Sequence, residues 1–212
     1  LLKRTLVTLT LSCIVFAGSF VFLSWAPTLL RDKGFSLGDS LLLGSLFSLG
    51  TPLGALLAAP LSDKGGRKIP MVIGLFVAAV FGLIYGMMSS KYAIMGVGLV
   101  FWLGIFFVTT LIFAYIPENY PTRIRNTASG FIWSMGRIAT ALVQLIVPFL
   151  YASVGYQNLF AIIGASFLLI GVIVGIGGIR TAGRSLEEIN QETTTSGEIC
   201  RKVSMPLAPT ET

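Results

Sequence analysis

The sequence predicts an all-α membrane protein of six transmembrane helices, and three observations carry that prediction. Hydrophobic residues make up 54% of the 212-residue chain and charged residues 11%, with a mean hydropathy of +0.85, far too apolar for an ordinary soluble domain. Apolar runs of roughly 20 residues, the length that crosses a bilayer, recur six times. The charged stretches between them are short, and a bilayer core that cannot satisfy stray polar groups leaves each of them outside the hydrocarbon.

The first span, about 5–30, carries no charged residue before Arg31 and ends in WAPTLL, where Trp25 suits a membrane interface and Pro27 can kink the last turn. It lacks the basic start, short apolar stretch and small-residue cleavage site of a signal peptide. Ser36 and Asp39 have the spacing of a helix cap for the second span, about 41–61, whose Gly44, Gly50, Gly54 and Ala58 permit close helix approach. The elbow LSDKGGRK (61–68) packs an acid, three bases and two glycines between apolar runs, so it reads as a tight solvent-facing turn. The third span, about 69–89, the fourth, about 92–116, the fifth, about 127–151, and the sixth, about 157–179, complete a bundle over residues 1–179. Residues 180–212 form a polar tail expected to be flexible.

Charge sets orientation and excludes whole classes of function. The N-terminus, both charged elbows and the tail fall on one face, with eleven Lys and Arg residues against Arg31, Lys33 and Lys91 on the other. The positive-inside rule then places both termini in the cytoplasm, in a cell membrane. The net charge of +6 does not imply nucleic-acid binding, because the basic residues sit in short loops rather than on one soluble face. The chain has no histidine, which removes histidine metal sites, Ser-His-Asp triads and histidine proton relays. Cys13 and Cys200, one in a span and one in the tail, imply no disulfide framework. No carboxylate falls at membrane depth, so an intramembrane enzyme lacks its acid and base. No cofactor and no metal are expected.

One charge remains inside a span. Counted from Thr127, Arg137 lies roughly 15 Å into a core about 30 Å thick, where a charge is costly unless it meets a polar cavity or a partner. Gly130, Trp133, Arg137, Thr140 and Gln144 share one helix face, the pattern of a stripe facing a solute path. Arg137 can equally bond backbone carbonyls or pair with an acid elsewhere in the assembly. Trp102, Phe106, Thr109 and Phe113 on the fourth span, and Ser12, Phe16 and Ser19 on the first, form two further stripes that either touch a ligand or pack. The expected ligand contacts are Arg137, Trp133, Gln144, Trp102, Phe106 and Ser19. In the elbow, Asp63 is expected near the N-terminus of the third span, where the helix dipole favours a carboxylate, with Gly65 and Gly66 turning the backbone and Arg67 free to pair.

These residues carry a resemblance. The segment Gly54 to Lys68 resembles the loop motif of the major facilitator superfamily, a glycine, a later aspartate and a Gly-Arg-Arg/Lys ending, with Ala59 where a second glycine is usual. PENYPTRIRNTASG (117–130), with Glu118 and Arg125, is similar to the Glu-x6-Arg element of its sugar-porter and organic-acid branches. GRSLEEI (183–189) resembles the end of the sugar-porter signature. The resemblance implies the C-terminal six-helix half of a twelve-helix fold, in which two halves surround one site. A full transporter would then need six further spans upstream, and the chain begins at Leu1 without a methionine.

The resemblance also implies a conformational switch at the cytoplasmic gate made by Asp63, Gly66, Arg67, Lys68, Glu118, Arg123, Arg125, Glu187 and Glu188. Its charges alternatively serve only to fix topology. SGFIWSMGR (129–137) is similar to the eleventh helix of aromatic-acid and organic-acid transporters, and the first span lacks the paired glutamines of sugar porters. The expected function is therefore secondary transport of a small organic or aromatic acid by alternating access, coupled to protons through a carboxylate of the other half. A sugar or neutral solute is the alternative, and a non-transporting fragment of such a protein has the same sequence. The partners are the solute, protons, lipid and the missing half.

Overall fold

The computed structural model describes residues 2–32 and 34–178, and the regular structure among them is entirely helical. Helix α1 spans Leu2–Asp32, α2 Leu37–Ser48, α3 Gly50–Gly65, α4 Lys68–Met87, α5 Lys91–Glu118 and α6 Arg125–Gly177. Ser36 caps α2 as its spacing predicts, its hydroxyl accepting a hydrogen bond from the Asp39 amide at 3.1 Å. Helices α2 and α3 together make one membrane-length segment, Leu37–Ser62. Its break at Leu49 has a local cause: Pro52 has no N–H to offer the Ser48 carbonyl.

Five helical segments are long and apolar enough to cross a membrane, yet they make six crossings, because α6 folds back on itself. Its 53 residues would reach about 80 Å if straight, against a hydrocarbon core of about 30 Å. At Gly155 the backbone adopts φ 76°, ψ 178°, a left-handed geometry that glycine enters without strain. The arm 125–154 runs parallel to α1, with the Ser12 hydroxyl 3.4 Å from the Ile132 carbonyl and Trp25 bonded to Gln144. The arm 156–177 runs antiparallel to α1, with Gly18 against Phe167 and Gly177 against Val7. The fifth and sixth spans are thus joined at a single glycine, where the sequence suggests a loop of several residues.

A second departure concerns Asp63. Helix α3 continues through Gly65, and the turn is made at Gly66, with φ 78°. Asp63 therefore belongs to the last turn of α3 rather than to the N-terminus of α4, and the helix dipole there does not favour a carboxylate. The run SDKG simply extends the helix until the glycine that can reverse the chain.

In a bilayer, helices associate by van der Waals packing rather than by escape from water. Helix α3 lies tight along α5 because a Cβ at Gly54 would come within 2.6 Å of the Leu103 carbonyl oxygen. Phe22 centres the core, with ring centroids 5.3 Å from Phe47, 5.2 Å from Tyr85, 4.8 Å from Phe101 and 5.5 Å from Trp102. Those contacts tie α1, α2, α4 and α5 together. One end of the bundle gathers the N-terminus, the Gly66 elbow, the 119–124 turn and Gly178, and is called the elbow face below. The other end holds an ion pair between Lys91 and Asp39 at 2.5 Å. Lys91, at the start of α5, donates a hydrogen bond to the Asp39 carboxylate.

Candidate functional site

A cavity of about 440 Å³ opens where α1, α5 and the first arm of α6 converge. Helical periodicity places its walls: Phe16, Ser19 and Phe20 from α1, Phe106, Thr109 and Phe113 from α5, and Trp133, Arg137, Thr140 and Ala141 from α6. The three stripes read from the sequence thus meet in one site. Five of the ten lining residues are aromatic. Phe113 and Trp133 stack with centroids 4.2 Å apart and planes 21° apart, and Phe16 leans on Trp133 at 5.3 Å.

The polar groups of this cavity are unequal. Ser19 donates to the Val15 carbonyl at 2.6 Å, Thr109 to Ile105 at 2.8 Å and Thr140 to Gly136 at 2.9 Å. Each hydroxyl has spent its one hydrogen on its own helix and offers a ligand only lone pairs. The Arg137 guanidinium is exposed to the cavity and, among the described residues, has neither a hydrogen bond nor an ion pair. The four acidic residues among the described ones, Asp32, Asp39, Asp63 and Glu118, all stand in the sequence near helix ends. The cavity therefore presents a concentrated set of charged donors at Arg137, the indole of Trp133, and acceptors and aromatic faces elsewhere.

Two expected contact residues lie outside this lining. Trp102 is 2% exposed, its indole donates to the Thr51 hydroxyl at 3.0 Å, and it stacks on Phe22. It braces α3 against α5. Gln144 sits on the Arg137 face one turn beyond the lining, and its amide is fully engaged: its oxygen accepts from Trp25 at 2.6 Å, and its nitrogen donates to the Phe20 carbonyl at 3.0 Å and Ser24 at 3.2 Å. Trp25 thus clasps α1 to the first arm of α6. Phe16, Thr109, Phe113 and Thr140 line the cavity from the stripes without being among the six expected, and Phe20 and Ala141 line it from outside the stripes. Phe20 completes the α1 face at one residue from Ser19, a position that helical periodicity alone makes ambiguous.

The elbow face is built differently. Arg67 and Glu118 form a two-point pair, Nη2 to Oε1 at 2.6 Å and Nε to Oε2 at 2.7 Å, with side chains 25% and 30% exposed. The pair ties the α3–α4 elbow to the end of α5. Beside it, the Tyr120 hydroxyl lies 3.1 Å from both Thr8 and Thr5, fastening α1 to the 119–124 turn. Arg125 donates to the Tyr120 carbonyl at 3.4 Å rather than to Glu118, Arg123 is exposed and Lys68 is half-buried. Glu187 and Glu188 lie outside the described residues.

A cavity within a bundle of membrane-length apolar helices, with the ion pairs of the described residues at its two ends, defines a multi-pass integral membrane protein. The sequence profile of the Major Facilitator Superfamily matches residues 8–201, and the chain belongs to that superfamily. The inner membrane metabolite transport protein YdjE of Escherichia coli (strain K12) is 33% identical over 195 residues, 90% of this chain and 42% of that protein. The putative niacin/nicotinamide transporter NiaP of Bacillus subtilis (strain 168) is 34% identical over 179 residues, 82% of this chain and 44% of that protein. The fold matches a crystal structure of a double-tryptophan mutant of XylE, with a TM-score of 0.74 and 18% identity, over 91% of this chain and 44% of that one. The chain spans less than half the length of the relatives it matches.

Proposed function

We propose that this chain is the C-terminal six-helix half of a secondary transporter for a small organic acid, most suitably one with an aromatic ring. One observation carries the reading: Arg137 is the one charged residue lining the cavity, and its remaining walls are mostly aromatic rings and hydroxyls that can only accept. A carboxylate suits a planar guanidinium, which binds it at two points, and a flat ring suits the aromatic wall. A sugar would face hydroxyls that can only accept and few donors to match its own oxygens. The length of the relatives supports a companion half closing the cavity, and the printed name of NiaP, which covers niacin, a pyridine carboxylic acid, together with its neutral amide, supports a small ring-bearing solute.

In this reading the paired charges at the elbow face bias the exchange between outward and inward states, and that face is cytoplasmic. Asp63, Gly66, Arg67, Lys68, Glu118, Arg123 and Arg125 belong to this gate. Proton coupling falls to a carboxylate of the companion half, because the acidic residues among the described ones stand in the sequence near helix ends. The test is uptake by the full-length protein in proteoliposomes. An aromatic carboxylate should accumulate when an inward proton gradient is imposed, and Arg137→Gln should abolish that accumulation. Equal uptake of a neutral hexose, insensitive to Arg137→Gln, would replace this reading with the neutral-solute one.

A further inference from the structure

A second cavity lies away from the central site. It holds about 300 Å³ between α4 and the second arm of α6, and its walls are Val72, Phe76, Leu168, Gly171, Val172, Gly175 and Ile176. Neither α4 nor residues 156–177 line the central cavity. Its rim is apolar and open, with Phe76 59%, Val172 50% and Ile176 83% exposed, as befits a surface turned to hydrocarbon. A helix pair packed only by ridges and grooves would close such a gap; here glycine keeps it open, since a Cβ at Gly175 meets nothing within 4 Å. An unfilled groove forfeits dispersion contacts on both walls.

Charge identifies what fills it. Lys68, Val72 and Phe76 follow one another at four-residue intervals on α4, so Lys68 stands one turn beyond the groove, on the same helix face and at the elbow-face end. Among the described residues its ammonium has no ion pair, whereas the adjacent Arg67 is committed to Glu118. We infer that this groove holds one acyl chain of an anionic phospholipid whose phosphate sits on Lys68. The inference does not depend on what the central cavity transports.

Native mass spectrometry of the full-length protein, purified in detergent and titrated with phosphatidylglycerol or phosphatidylcholine of matched acyl chains, tests it. The wild type should retain one lipid, with phosphatidylglycerol preferred. Gly175→Phe, which fills the groove from a position with room for a ring, should release that lipid whatever its head group. Lys68→Gln should keep the acyl occupancy and reduce the preference for phosphatidylglycerol about fivefold, the effect of one basic residue at an anionic surface. Retention of the lipid by Gly175→Phe, or an unchanged preference in Lys68→Gln, would overturn the assignment. So would a photo-crosslinker at Val172 that captures a protein helix instead of lipid.

Discussion

The central cavity and the elbow face use the same kinds of side chain under opposite rules. At the elbow face, Arg67 meets Glu118 at two points within the chain, and Tyr120 ties two threonines to a loop. In the cavity, Arg137 has no such partner among the described residues, and the hydroxyls around it are turned back into their helices. A charge satisfied within one chain holds a shape. A charge left unsatisfied at membrane depth is costly enough that something outside the chain must meet it.

The two regions should differ most in their response to substitution at Arg137. Its replacement by glutamine should weaken acid binding at least about 30-fold, the lower end for loss of one partner of a desolvated charge pair, whereas lysine, a point charge, should restore part of that loss. At the elbow face, by contrast, Glu118→Gln should alter the rate of solute exchange several-fold while equilibrium affinity stays within about twofold; a double-mutant cycle between Arg67 and Glu118 should return a coupling of about 1 kcal/mol. Asp63→Asn should behave likewise, slowing transport and sparing binding. A large loss of affinity in either variant, with exchange rates intact, would erase the distinction between the two regions.

Smaller effects sharpen it. Trp133→Leu, which removes one ring of the Phe113 stack, should cost about 1 kcal/mol of binding for a ring-bearing acid and almost nothing for an aliphatic acid of similar size, measurable by competition. Gln144→Leu should lower the melting temperature through loss of the α1–α6 clasp, an effect of about 1 kcal/mol, without changing the preference for acids. For orientation, a membrane-impermeant thiol reagent applied from outside should label a cysteine at Lys33 and spare one at Lys64; the reverse pattern would turn the elbow face outward.

Much of this was legible because bilayer physics is strict. The apolar runs, the basic bias and the depth of Arg137 follow from what hydrocarbon excludes, and the stripes on α1, α5 and α6 converge because helical periodicity fixes their faces. What depended on geometry between helices was not legible. Nothing in the sequence says that Gln144 would spend its amide on Trp25, Phe20 and Ser24, or that Trp102 would turn to Thr51 rather than to the cavity. Helix ends were blurred for a different reason. SDKG is compatible with helix or turn, and only Gly66, the residue that takes the positive φ, decides where α3 stops. The fold-back at Gly155 is the same case: a single glycine replaces a loop.

Recognition of a carboxylate by Arg137 is tested most directly by binding of nicotinate and nicotinamide to the purified full-length protein, because the two differ by one charged group on the same ring. Calorimetry at a pH where nicotinate is ionised should show nicotinate bound at least about 30-fold more tightly than the amide, and Arg137→Gln should remove that difference while leaving nicotinamide affinity within about twofold. Equal affinity of acid and amide for the wild type, or an equal loss of both in the variant, would contradict it and make Arg137 a structural residue.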